Sequence, residues 1–234
     1  MTPEERTAEL AANLADVRSR IAAACAAAGR DPAEITLIAV TKTFPADDVR
    51  LLAGLGVTDV AENRDQEARP KAEATADLPL TRHFVGQLQT NKARSVAEYA
   101  DVVQSVDRVR LVGALSAAAL RHGRTLRCLV QVALDDGAGR GGAAPADVPA
   151  VADAVAAADA LELAGVMAVA PLGGDARAAF ARLTGLAAEV REDHPGAAIV
   201  SAGMSGDLED AVACGATHLR IGTALLGGRR AIVR

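Results

Sequence analysis

The chain has 234 residues, half of them hydrophobic, with three Phe, one Tyr, no Trp and a formal net charge of −5. That length suits one large core, no window approaches the ~20 consecutive apolar residues of a membrane-spanning helix, and the acidic balance with few rings excludes the basic footprint and stacking platform of a nucleic-acid binder. The opening MTPEERTAEL is polar and acidic where an export signal is basic and then apolar, which predicts a cytoplasmic protein.

Helical spacing runs from about 3 to 28, and the apolar run Ile35 to Val40 then stops at Thr41-Lys42-Thr43 before Pro45 opens a second helical pattern through Val49 and Leu52. Short runs rich in Val, Ile and Leu recur further on, so strands are expected at 35–42, 59–62, 82–86, 102–106, 127–134, 163–170, 198–204 and 218–222. Alanine-rich amphipathic segments lie between them, among them 107–123, 148–160, 175–192 and 207–216. Strands alternating with helices indicate an α/β fold around a parallel sheet, and eight of them predict a single closed (β/α)8 TIM barrel over 1–234 with an extra N-terminal helix.

Such a barrel carries its chemistry at the C-terminal ends of the strands, often with a phosphate site after strands seven and eight. Lys42 ends strand one, which closure sets beside strand eight. Strand seven runs into Met204-Ser205-Gly206-Asp207, with Ser205 read as the N-cap of a helix, and strand eight into Gly222-Thr223. A capping hydroxyl, glycines and free amides at a barrel mouth suit an anion. Alternation places His218, Arg220 and Gly222 on one face of strand eight. Residues 137–142, GAGRGG, match G-x-G-x-x-G after a strand, but the acid expected at the end of the next strand is missing. The cysteines Cys25, Cys128 and Cys214 and the four histidines form no metal-ligand spacing, so no metal is expected.

The segments AVTKTFP, AENRDQE, HFVGQLQTNKA, VQSVDRVRL, GVMAVAP and SAGMSGDLEDAVACGATHLRIGTALLGGR, in this order along nearly the whole chain, resemble the YggS/PROSC family of pyridoxal 5'-phosphate homeostasis proteins. The resemblance implies a fold type III barrel like that of alanine racemase, holding pyridoxal 5'-phosphate (PLP) as an aldimine on Lys42. It puts the phosphate against Met204-Ser205 and Gly222-Thr223, Arg220 at the pyridine nitrogen, Asn63 near the ring, and His83 and Asn91 at the mouth. Val60-Ala61, Asp65 and Gln87 depart from the family pattern.

A lysine forms a Schiff base only while its amine is neutral part of the time, which burial beside a cation such as Arg220 promotes. A guanidinium has no acceptor and cannot share a proton with the ring, which makes the ring a poor electron sink. The function that the resemblance implies, and that this chemistry suits, is to hold PLP in the cell and supply it to apo-enzymes, as a monomer without a catalytic residue. Two alternatives stand beside it. One is a PLP-dependent amino acid racemase, which needs a second base that Tyr99, the one tyrosine, does not supply from the helix before strand four. The other is a cofactor-free barrel enzyme acting on a small phosphorylated metabolite.

Overall fold

A reciprocal cap starts the first helix: the Thr2 hydroxyl accepts the Glu5 amide at 3.2 Å and the Glu5 carboxylate accepts the Thr2 amide at 2.7 Å. In the computed structural model, which describes residues 2–135 and 141–228, this helix, α1 (Pro3–Ala28), ends where Gly29 turns left-handed at φ 66°. Leu10, Leu14, Val17 and Ile21 recur at helical spacing on its buried face. Each such side chain taken fully out of water contributes ~1.5–3 kcal/mol.

The chain then alternates: β1 (Thr36–Val40), α2 (Ala46–Gly54), β2 (Asp59–Glu62), α3 (Asp65–Ala74), β3 (Thr81–Phe84), α4 (Ala93–Tyr99), β4 (Val102–Val106), α5 (Val109–His122), β5 (Leu126–Gln131), α6 (Val148–Ala156), β6 (Leu161–Met167), α7 (Ala176–Asp193), β7 (Ile199–Ser201), α8 (Leu208–Ala213), β8 (His218–Ile221) and α9 (Thr223–Leu226). Neighbouring strands are parallel and the sheet closes when β1 pairs with β8, Ile38 opposite Arg220 and Ala39 opposite Ile221. This is the expected (β/α)8 barrel with its additional N-terminal helix. Strand ends differ from expectation by a few residues, chiefly at the mouth, where the chain leaves the sheet early. Lys42 lies two residues beyond β1, and Met204 three beyond β7. Among the described residues no helix is long and apolar enough to cross a membrane.

Alternation sorts the strands into two faces. Val60, Phe84, Val103, Val200, Leu219 and Ile221 join the large cluster beneath the helices. Ile38, Val40 and Ala61 form one separate small cluster, and Val102, Leu129, Ala164, Met167 and Ile199 another, both inside the barrel. The interior is therefore side chains in layers. Its polar members, His83, Gln104, Ser201 and Arg220, occupy the same alternating positions and are all buried.

The site end of the barrel is tied to α1. Arg6 donates to both carboxylate oxygens of Asp48 in α2, at 2.7 and 3.2 Å, and to the Leu226 carbonyl at 3.1 Å, with its guanidinium 5.7 Å from the centre of the Phe44 ring. Asn13 adds a bond to the Leu225 carbonyl at 3.0 Å.

Candidate functional site

The turn after β1 is closed by the Phe44 amide donating to the Thr41 carbonyl at 3.1 Å. Thr43, its third residue, is left-handed at φ 69° and gives its amide to Glu67 at 3.0 Å. This turn presents Lys42 to a cavity of about 270 Å³ lined also by Phe44, Met204, Ser205, Gly206, Arg220, Gly222 and Thr223.

The chain has three lysines, and their surroundings separate them. Lys71 donates to the Thr41 carbonyl at 2.8 Å and pairs with Glu62, whose carboxylate also accepts the Thr41 hydroxyl at 2.6 Å. Lys92 faces Asp65 at 3.7 Å from outside the barrel. Lys42 has no hydrogen bond or ion pair to any described residue.

Opposite it, two loops are joined by one contact: the Ser205 hydroxyl accepts the Ala224 amide at 3.1 Å, which leaves its own proton to donate. Ser205 is thus not the expected N-cap. Helix α8 starts at Leu208, and Asp207 closes the preceding turn by accepting the Met204 amide at 2.6 Å. Gly203 makes that turn possible, because at φ 91° a Cβ would stand 2.5 Å from that of Ala211. The amides of Ser205, Gly206 and Thr223 make no hydrogen bond to a described residue. A Cβ at Gly222 would meet Val40 only at ordinary contact distance, 3.5 Å or more, so packing alone does not require glycine there.

Arg220 forms the floor. It is 4% exposed, donates to the Ser201 hydroxyl and the Ala168 carbonyl at 2.7 Å each, and has no carboxylate partner among the described residues. Burial pushes its guanidinium down to about 10. An amine, a set of donors without acceptors and a buried cation without an ion-pair partner together suit a carbonyl compound carrying an anionic group.

Six of the expected residues, Lys42, Met204, Ser205, Arg220, Gly222 and Thr223, thus line one cavity. Asn63 does not. It follows β2, and its carbonyl would lie 2.0 Å from a Cβ at position 86, so Gly86 serves the packing of β2 on β3. His83, expected at the mouth, lies in the barrel interior, bonded to Asp59 and to Gln104 at 2.9 Å each. Its strand position pairs with Ala61 and Val102, below the strand ends. Asn91 is on an outer groove with Lys92, Arg94 and Ser95. Tyr99 is also outside the cavity, its hydroxyl 3.4 Å from Asp65, with burial foremost in raising its pKa. Residues 137–140 of the GAGRGG stretch lie outside the described residues.

The Alanine racemase, N-terminal domain family model matches residues 7–230. The pyridoxal phosphate homeostasis protein of Mycobacterium tuberculosis strain H37Rv is 45% identical over 245 residues, covering 97% of this chain and 95% of that one. The chain belongs to that family. A solved member of like structure, PipY of Synechococcus elongatus PCC7942 with PLP bound, aligns with a TM-score of 0.82 at 37% identity over 93% of this chain and all of its own. The alanine racemase of Streptomyces coelicolor shares the fold, with a TM-score of 0.72 at 20% identity, and this chain spans 58% of its length.

Against the family pattern, Asp65 has found local partners: it accepts the Ser95 hydroxyl at 2.7 Å and faces Lys92 and Tyr99. Two groupings escaped the sequence reading. One is the Thr41, Glu62 and Lys71 cluster beside the Lys42 turn. The other is the buried polar chain from Arg220 to Asp59. Their only signal in the sequence is a polar residue at a strand position, at Asp59, Glu62, His83, Gln104 and Ser201.

Proposed function

We propose that this chain holds PLP covalently through the amine of Lys42 and serves PLP homeostasis by retaining the cofactor and passing it to apo-enzymes, with little turnover of its own. The observation that carries this is the contrast among the lysines: Lys42 alone is unpaired and opens on a cavity with cationic and amide donors. The phosphate suits Ser205, its neighbouring amides and Thr223, and the pyridine nitrogen suits the floor at Arg220. The names of the relatives and the PLP bound in PipY support the same assignment. When bound, the group supplies a reactive aldehyde; the chain's contribution is to hold its anion, fix its ring and present one amine.

In this reading the whole chain acts as one cofactor-binding barrel, monomeric and cytoplasmic. A racemase needs a base on each face of the substrate carbon. The position of Tyr99, buried against Asp65 and outside the cavity, supports the non-catalytic role. The test is the visible spectrum of the purified, PLP-loaded protein before and after borohydride, followed by peptide mapping. The expected result is a chromophore abolished by reduction and a pyridoxyl group on Lys42. Its appearance on Lys71 or Lys92, or no chromophore at all, overturns the assignment.

A further inference from the structure

The interior of the barrel carries a continuous hydrogen-bond chain that leads away from the cavity. Arg220 in β8 donates to the Ser201 hydroxyl in β7 at 2.7 Å, and that hydroxyl donates to Gln104 Oε1 in β4 at 2.7 Å. Gln104 Nε2 lies 2.9 Å from His83 Nδ1 in β3, and His83 Nε2 lies 2.9 Å from Asp59 Oδ1 in β2. Ser201 and Gln104 are fully buried, and His83 is 4% exposed.

The direction of this chain follows from what each group can do. A guanidinium only donates, so Ser201 accepts from it, and the Ser201 proton goes to Gln104 Oε1. The Gln104 carbonyl is then occupied, and its NH2 faces His83 Nδ1, which must offer a lone pair. A neutral imidazole so fixed carries its proton on Nε2, against the Asp59 carboxylate. The opposite amide orientation would put a carbonyl on Nδ1 while Asp59 still faces Nε2, and both ring nitrogens would have to be protonated.

We propose that Ser201, Gln104, His83 and Asp59 are positioning residues for Arg220, a one-way relay that orients the buried guanidinium and links it to a carboxylate it does not touch. The inference rests on the PLP reading of the cavity. It completes the hydrogen bonding of a buried cation that has no ion-pair partner: Asp207 is the charge that favours the guanidinium, and the relay adds an oriented dipole at Ser201. Two of its five donors are thereby fixed to Ser201 and Ala168, and the rigid fork leaves the others for the cavity that Arg220 lines.

Two measurements test it. The first uses 15N-histidine-labelled apo-protein at neutral pH, where nitrogen chemical shifts report each tautomer. His83 should be the neutral Nε2–H form in wild type and lose that single tautomer in Gln104→Met. A His83 protonated on Nδ1, or no change in the variant, overturns the relay. The second loads wild type, Gln104→Met and Asp59→Asn with PLP. In Gln104→Met the covalent bond to Lys42 should persist while the visible maximum shifts and cofactor loss accelerates roughly tenfold, the worth of one hydrogen bond to a charged group. Asp59→Asn, which keeps an acceptor for His83 but removes the charge, should fall between. An unchanged maximum and loss rate in both variants overturns the positioning role, whereas a wild type that takes up no PLP sinks the cofactor reading and leaves the tautomer measurement to decide the relay.

Discussion

Lys42 and Lys71 lie on either side of Thr41, and the two regions treat a lysine in opposite ways. On the β2 side, Lys71 is enclosed by Glu62 and the Thr41 carbonyl, so its charge is answered from within the chain. On the β8 side, Lys42 and Arg220 face a cavity and neither is ion-paired to a described carboxylate, although Asp207 favours the Arg220 charge from a distance. The first arrangement is what a fold needs from a buried charge, and the second is what it supplies for a ligand. Proximity to the strand end does not distinguish the two lysines; their partners do.

Substituting each lysine should break this comparison cleanly. Lys42→Ala should abolish the borohydride-reducible chromophore while moving the denaturation midpoint little, because a half-buried, unpaired side chain carries within about 0.5 kcal/mol of stability. Lys71→Ala should do the reverse. It should keep the chromophore and lose stability toward the lower end of the ~3–5 kcal/mol typical of removing one partner from a buried pair, since Glu62 would keep only the Thr41 hydroxyl. Burial already pushes the Glu62 carboxyl up despite Lys71, and its Oε2 has no partner. Loss of the chromophore in Lys71→Ala, or its survival in Lys42→Ala, would show that the two regions are not separate.

The anion donors sharpen the same contrast. Replacing Ser205 and Thr223 together by alanine should weaken PLP retention about 10–100-fold, as expected from losing charge-assisted hydrogen bonds, and leave pyridoxal nearly untouched. Equilibrium binding of the two ligands to wild type and variant decides it. Equal losses for both would remove the phosphate from this side of the cavity.

The sequence carried the frame of the cavity and Arg220 at its floor, but not the partners beneath that floor. Pro3 and Gly29 bracket α1, apolar runs mark all eight strands, and closure brings Lys42 to strand eight, so these were legible from local pattern. Alternation also put Arg220 on the interior face. Ser205 was misread as a cap because the turn before α8 consumes three residues, Ser205 to Asp207, that a helix start would have used. The resemblance put His83 at the mouth, but a motif match gives no depth in the barrel; depth comes from register, here His83 level with Ala61 and Val102. The Glu62 to Lys71 pair joins a strand to the far end of the next helix, and no pattern in one sequence fixes that meeting.

The polar interior also makes stability depend on pH. His218, on the same face as Arg220, is held down to about 4, chiefly by burial. Its folded pKa lies below the ordinary 6.5, so the unfolded chain binds the proton first and stability falls as pH drops from 6.5 toward about 4. At about 1.4 kcal/mol per pH unit, the loss approaches ~3 kcal/mol. Glu62, raised by burial, acts in the opposite sense, so the informative measurement is a difference. Denaturant midpoints at pH 7 and pH 5 should fall less in His218→Asn than in wild type; an identical fall would mean that His218 is not held neutral.

The smallest expected effect concerns the turn between the two regions. Thr43 occupies the third position of the Thr41 to Phe44 turn at φ 69°, where glycine or asparagine is the usual residue and a β-branched side chain is strained. That conformation costs a non-glycine residue about 1–2 kcal/mol, and glycine returns part of the gain by loosening the unfolded chain. Thr43→Gly should therefore raise stability by at most ~1 kcal/mol, read as a higher denaturation midpoint. The turn remains anchored on the Lys71 side by the Thr41 carbonyl and the Glu67 carboxylate, so the added freedom falls on Lys42. Strain retained at a functional position is a sign that the neighbouring geometry is being enforced. The variant should accordingly lose PLP faster than wild type while unfolding later. A variant that is both more stable and equally retentive would show that Thr43 does nothing for Lys42, and a less stable one would remove the strain argument altogether.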